Sequence, residues 1–248
     1  MIRRWLQGMV IVFLITSPLT AFAIDLPTIS LGVEKASTPS EVSNAVQILL
    51  VLTVLSAAPA ILLMTTAFVR VVIVLSFVRQ AMGTQQMPPN QVIVGLAMFL
   101  TFFIMSPVYS VVNDQAVQPY LAGKIDQQAA LELAVEPIRE FMFSQTREED
   151  LALLVDVAGY EQPDNQLEVA TTALIPAFML SELNRAFQIG FMIYIPFLVI
   201  DMIVASVLMS MGMMMLPPPI ISLPFKLLLF VLVDGWGLVV GALVKSFS

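Results

Sequence analysis

Four stretches of this chain are apolar for longer than a soluble core element needs, and each is interrupted by a proline or by a charge that oil cannot hold. They run Ala45–Val78, Val92–Val112, Ala173–Leu216 and Ile220–Val244. About twenty consecutive apolar residues cross a bilayer as a helix, and such a segment has to satisfy its backbone hydrogen bonds internally. The pattern therefore predicts an all-α membrane protein built of broken helical hairpins.

Composition points the same way. Hydrophobic residues make up 58% of the 248 and charged residues only 12%, against about 45–50% apolar residues in an ordinary soluble domain. Acids outnumber bases 18 to 11, so the basic surplus of a nucleic-acid binder is missing. The chain has no cysteine and no histidine, which removes thiolate chemistry, the commonest metal ligand and the usual proton shuttle. It contains no His-Glu-x-x-His, Gly-x-Ser-x-Gly or phosphate-loop motif. We therefore expect no enzyme activity, no cofactor and no metal site.

Residues 1–23 read as a cleavable signal peptide. Arg3 and Arg4 precede an apolar run from Leu6 to Ile15, and Ala21-Phe22-Ala23 offers a small-x-small cleavage site before Ile24. The run, about ten residues long, is too short to span; an uncleaved anchor is the alternative. Residues 24–44, with Pro27, Gly32 and Pro39, read as an exposed arm. Residues 45–112 form a first hydrophobic hairpin, with Pro59 removing a helical hydrogen bond and predicting a break or tilt in its first helix. Its polar turn runs from Arg79 to Asn90.

Residues 113–172 change character. They hold twelve of the eighteen acids against Lys124, Arg139 and Arg147, a net charge of −9. This insert should lie in water and, behind a cleaved signal and two crossings, outside the cytoplasm. Leu131, Val135, Ile138 and Met142 recur at helical spacing and predict an amphipathic helix over Asp126–Phe143 packed on its neighbours. The acids are read first as a solvated face, with recruitment of basic cargo as the alternative. Residues 173–248 form a second hydrophobic hairpin whose reversal falls at Pro217-Pro218-Pro219. Four crossings then leave the C-terminus outside.

A charge at bilayer depth costs about 2.5–3.5 kcal/mol on insertion scales, so Arg70, Glu182, Arg185, Asp201, Lys226 and Asp234 require partners or water. Glu182 and Arg185 share a helical face; Lys226 and Asp234 share one only approximately. Buried pairing, including pairing between subunits, is the favoured role. An ion channel or secondary transporter using Asp201 and Asp234 is the competing reading, although no internal repeat is visible. An intramembrane aspartyl protease would also use two acids, but Val233-Asp234-Gly235-Trp236 lacks the Gly-x-Gly-Asp arrangement.

Methionine is concentrated at Met209, Met211, Met213, Met214 and Met215, directly before the proline triplet. Its unbranched thioether adapts to surfaces of changing shape. Repeated around the axis of a ring, these side chains would close a hole to ions yet yield to a polypeptide; ordinary packing is the simpler use.

Two stretches resemble the signatures of the FliP family of flagellar export proteins, which has relatives in virulence type III secretion. The first is Pro176-Ala177-Phe178-Met179-Leu180-Ser181-Glu182-Leu183, followed six residues later by Gly190-Phe191-Met192-Ile193-Tyr194-Ile195-Pro196. The second is Pro224-Phe225-Lys226-Leu227-Leu228-Leu229-Phe230-Val231-Leu232-Val233-Asp234-Gly235-Trp236. The resemblance implies a pore-forming subunit of the flagellar export gate in the inner membrane at the basal body. It implies a pentamer that joins FliQ and FliR in a helical assembly with a central channel, contacts FlhB, and passes unfolded flagellar proteins. It also implies that subunits lie partly above the bilayer plane, which conflicts with four simple crossings, and that the methionine turn is the channel gate.

Overall fold

A computed structural model describes residues 39–84, 87–160, 165–166, 168–213 and 215–247, with side chains from residue 46. The signal and its cleavage site at Ala23 and Ile24, most of the arm, and Met214 lie outside the described residues. The described residues are almost entirely helical, without strands. The chain divides into residues 1–50 and residues 51–248. Of the first unit, only the opening turns of helix α1 are described.

Helix α1 spans Pro39–Met64, and Pro59 lies inside it without ending it. The break comes instead at residues 65–67, before α2 (Phe68–Ala81). There the Thr65 hydroxyl donates to the carbonyls of Ile61 and Leu62, at 3.1 and 3.3 Å, and the Thr66 hydroxyl donates to that of Leu63 at 3.2 Å. Two adjacent threonine hydroxyls thus fold back onto carbonyls of the last turn where the helix stops, whereas a single proline in an apolar helix forfeits only one bond.

Helix α2 is the hub of the second unit. Arg70, Val71, Val74, Leu75, Val78 and Ala81 are all buried, a stripe at helical spacing. Around it pack Ile93 and Ala97 of α3 (Asn90–Val112), Ala186 and Phe197 of α7 (Thr171–Ser210), Phe230 of α8 (Pro218–Leu232), and Val239 and Leu243 of α9 (Gly235–Lys245). Between apolar helices in lipid these contacts stabilise by close van der Waals packing rather than by removal from water.

The acidic insert opens with a π-turn at Asn113–Val117 and a short α4 (Gln118–Leu121) that follow α3 directly. Among its described residues two longer helices come next, α5 (Gln127–Gln145) and α6 (Glu148–Val157). Asp126 caps α5 by accepting from Ala129 N at 2.8 Å, as a short acidic side chain does at a helix start. The expected apolar stripe is covered only at its far end. Met142 is buried with Val169, Leu174 and Phe178, Ile138 is partly buried against them, and Leu131 and Val135 stay exposed.

Helix α7 runs 40 residues through Pro176 and Pro196, about 60 Å at 1.5 Å per residue. That is about twice the thickness of the hydrocarbon layer. Among the described residues, three segments are long and apolar enough to cross a membrane: Val46–Met64, Asn90–Leu121 and Thr171–Ser210. Helices α8 and α9 make a fourth only if taken together, and they are bent by 63°. The expected single stretch Ile220–Val244 is thus broken at Asp234, whose left-handed backbone (φ 50) turns the corner.

The reversal before α8 also differs in detail from the expectation. Gly212 (φ 76) closes α7: its N–H donates to Met209 O and the N–H of Met213 to Leu208 O, both at 3.0 Å. This is the double bond pattern that a left-handed glycine allows at a helix end. Pro218 and Pro219 occupy the first turn of α8, where an absent N–H costs nothing. The prolines start the second arm; the glycine ends the first.

Candidate functional site

The buried charges divide into separate layers, each tying α7 to another part of the chain. In the first, Arg70 of α2 meets Glu182 of α7, and both side chains are fully buried. Arg70 Nε donates to Glu182 Oε2 at 2.9 Å and Nη2 donates to Oε1, a two-pronged match of guanidinium to carboxylate. The remaining donors are also used. Nη2 reaches Gln145 Oε1 of α5 at 3.0 Å, and Nη1 reaches the carbonyl and hydroxyl of Ser246 at 2.8 and 3.0 Å. The Phe247 ring lies 3.7 Å from the guanidinium carbon. Arg185, one helical turn beyond Glu182, donates to the same Gln145 oxygen at 2.8 Å. The carboxylate thus pairs with Arg70 from 112 residues away rather than with its near neighbour on the helix.

The second layer fastens the insert. Arg147, at the start of α6, donates to both Asp150 oxygens, at 2.8 and 2.7 Å. The Ser181 hydroxyl of α7 donates to Asp150 Oδ2 at 2.6 Å and accepts from Arg147 N at 3.0 Å. The Arg147 hydrogen bonds hold the Asp150 carboxyl below its ordinary range, and Ser181 adds to the effect. Asp150 also stands in the first turn of α6, where the helix dipole favours a negative charge.

The third layer joins α7 to α8. Lys226 donates to Asp201 Oδ2 at 2.6 Å, and Ser222 donates to the other carboxylate oxygen. The ammonium is almost fully buried, while the Asp201 side chain retains 27% exposure. A Cβ at Gly83, in the turn after α2, would stand 3.7 Å from Lys226 Nζ, so the lysine reaches the base of the first hairpin. Asp201 is thereby committed to a cation and a hydroxyl. Asp234, exposed at the α8–α9 corner, takes no part in this pair. Its carboxylate folds over the first turn of α9, where a Cβ at Gly237 would lie 2.3 Å from Oδ2.

The methionine turn is the opposite of a core. Met209, Met211 and Met213 are exposed, and Met215 is 98% exposed. Beside them Ile203, Val207, Met211, Ile221 and Phe225 line a wholly apolar groove of about 550 Å³ between α7 and α8.

Sequence reasoning picked out Arg70, Glu182, Arg185, Asp201 and Lys226, and the structure brings the first three together in one layer and the last two in another. It missed Gln145, Arg147, Asp150, Ser181, Ser246 and Phe247. The Arg147-x-x-Asp150 spacing at a helix start was a readable signal; the roles of Ser246 and Phe247 had none, because they depend on where α9 returns. Among the described residues, no buried side-chain nitrogen or oxygen lacks a hydrogen-bond partner.

Apolar helices of spanning length, with their ions paired across helices, define an all-helical membrane protein. The FliP family model matches residues 51–243. The chain is 57% identical to the flagellar biosynthetic protein FliP of Bacillus subtilis over 88% of its own length and 98% of that protein's. It is 55% identical to FliP of Pectobacterium carotovorum, covering 82% of this chain and 79% of that one, and 50% identical to FliP of Caulobacter vibrioides, covering 93% and 85%. The chain belongs to the FliP family.

Proposed function

We propose that this chain is a component of the flagellar export apparatus, and within it a pore-forming subunit that passes unfolded flagellar proteins across the bacterial inner membrane. In this reading several copies, five by family resemblance, join FliQ and FliR around a channel at the basal body and contact FlhB. The acidic insert faces away from the cytoplasm. Met209, Met211, Met213, Met214 and Met215 form the seal at rest.

The observation that carries the reading is the exposed methionine turn at the end of a helix about twice as long as the hydrocarbon layer is thick. Flexible apolar side chains gathered at an unpacked reversal suit a surface completed by other copies and deformed by a passing chain. The exposed apolar surface of α1, including Val54 and Leu55, equally calls for lipid or partner subunits. The paired ions support a passive conduit, since Lys226 already neutralises Asp201.

Native mass spectrometry of the purified full chain, alone and co-expressed with FliQ and FliR, tests the assembly. A closed ring that gains mass with its neighbours is expected. A chain that stays monomeric with and without them contradicts the proposal.

A further inference from the structure

We infer that the two residues after α9, Ser246 and Phe247, are a latch that locks the second hairpin to the acidic insert through Arg70. The inference concerns the resting fold and is independent of what the assembly carries.

The geometry is specific. Arg70 is fully buried, and of its donors only Nε and Nη2 are served by Glu182 and Gln145. Nη1 depends on Ser246, through both the carbonyl and the hydroxyl. One face of the guanidinium is covered by Phe247 at 3.7 Å, a contact that gains strength away from water. The same Phe247 ring stacks on Phe141 of α5, with centroids 6.2 Å apart and planes 21° apart, while its carbonyl accepts from Gln145 Nε2 at 3.5 Å. Two residues therefore touch α2 and α5 at once.

Removing them would leave a buried cation with an open face and an unserved nitrogen, a far larger penalty than loss of an exposed contact. Conversely, α9 is a short helix of 11 residues that begins at a corner bent by 63°. Beyond its own packing at Val239 and Leu243, the tail is what holds its far end down. The latch therefore sets how often α9 lifts from α2, an opening that can occur without unfolding the α2–α7 crossing.

The native chain has no cysteine, so single thiols report each contact. Leu243→Cys, fully buried on α9, reads the latch, and Ala186→Cys, fully buried on α7, reads the central crossing. Each is placed in the full-length chain in native membranes and labelled with a membrane-permeant maleimide. This is done in the otherwise native chain, with Phe247→Ala, and with the double variant Ser246→Ala/Phe247→Ala, neither of which touches the Arg70–Glu182 pair. About tenfold faster labelling at position 243 in both variants, with position 186 still protected, is expected. Unchanged labelling at 243 would overturn the latch. An equal rise at 243 and 186 would also overturn it, because the tail would then be a general stabiliser.

Discussion

Gly190 of α7 lies so close to Phe77 of α2 that a Cβ on the glycine would stand 2.6 Å from the ring Cδ2 and 2.7 Å from Cγ. Phe187, one turn earlier, meets the same ring edge-on with centroids 5.4 Å apart. The two helices therefore approach at one residue without a side chain, as small residues permit in membrane bundles. Both contacts press on the half-buried Phe77 ring from α7.

Gly190→Ala should accordingly destabilise the fold by about 1–3 kcal/mol, the usual range for overpacking. A second change, Phe77→Leu, should recover part of the loss by opening the crossing. The melting temperature of the detergent-solubilised protein is the measurement. A Gly190→Ala protein with native stability would mean that the helices stand further apart.

The Arg70–Glu182 pair should respond asymmetrically to its two kinds of change. Glu182→Gln leaves a buried guanidinium among neutral acceptors and should cost about 3–5 kcal/mol, as breaking a buried pair does. Replacing both residues by methionine removes the uncompensated charge and should cost less than that single substitution. A double variant as unstable as the sum of Arg70→Met and Glu182→Met would show that the ions do not act as a pair.

Attachment of the insert should depend on acidity. The folded-state pKa of Asp150 is depressed by Arg147 and then Ser181. Its contribution is therefore fully present above the unfolded carboxylate value, about 3.9, and is lost as pH falls through the lower folded value. Protease susceptibility of the segment around α6, followed from pH 6 downward, should rise below about pH 4. Asp150→Asn should be susceptible already at neutral pH and should lose that pH step. A step of the same size in the asparagine variant would assign the transition to other carboxylates.

Much of the helical plan could be read from the residues, because apolar runs and the proline triplet act locally. Asp126 marked the start of α5 for the same reason: its cap bond spans three residues. One error is local: Pro59 looks like a break or tilt, but α1 runs through it and stops before Thr65. The others lie where distant packing decides. Lys226 was matched loosely with Asp234 on its own segment, whereas its partner Asp201 comes from α7 across the turn. The stripe on α5 looked uniform, yet only its Met142 end finds a cover. Spacing along one helix cannot report which helix comes to lie beside it.

The most direct test of the central claim is the resting ion leak of vesicles carrying the assembled gate, with Met209, Met211, Met213, Met214 and Met215 native or all changed to alanine. If the methionine turn seals a conduit, the alanine gate should leak ions while still passing flagellar proteins. An alanine gate as tight as the native one, with normal export, would contradict a seal at this turn.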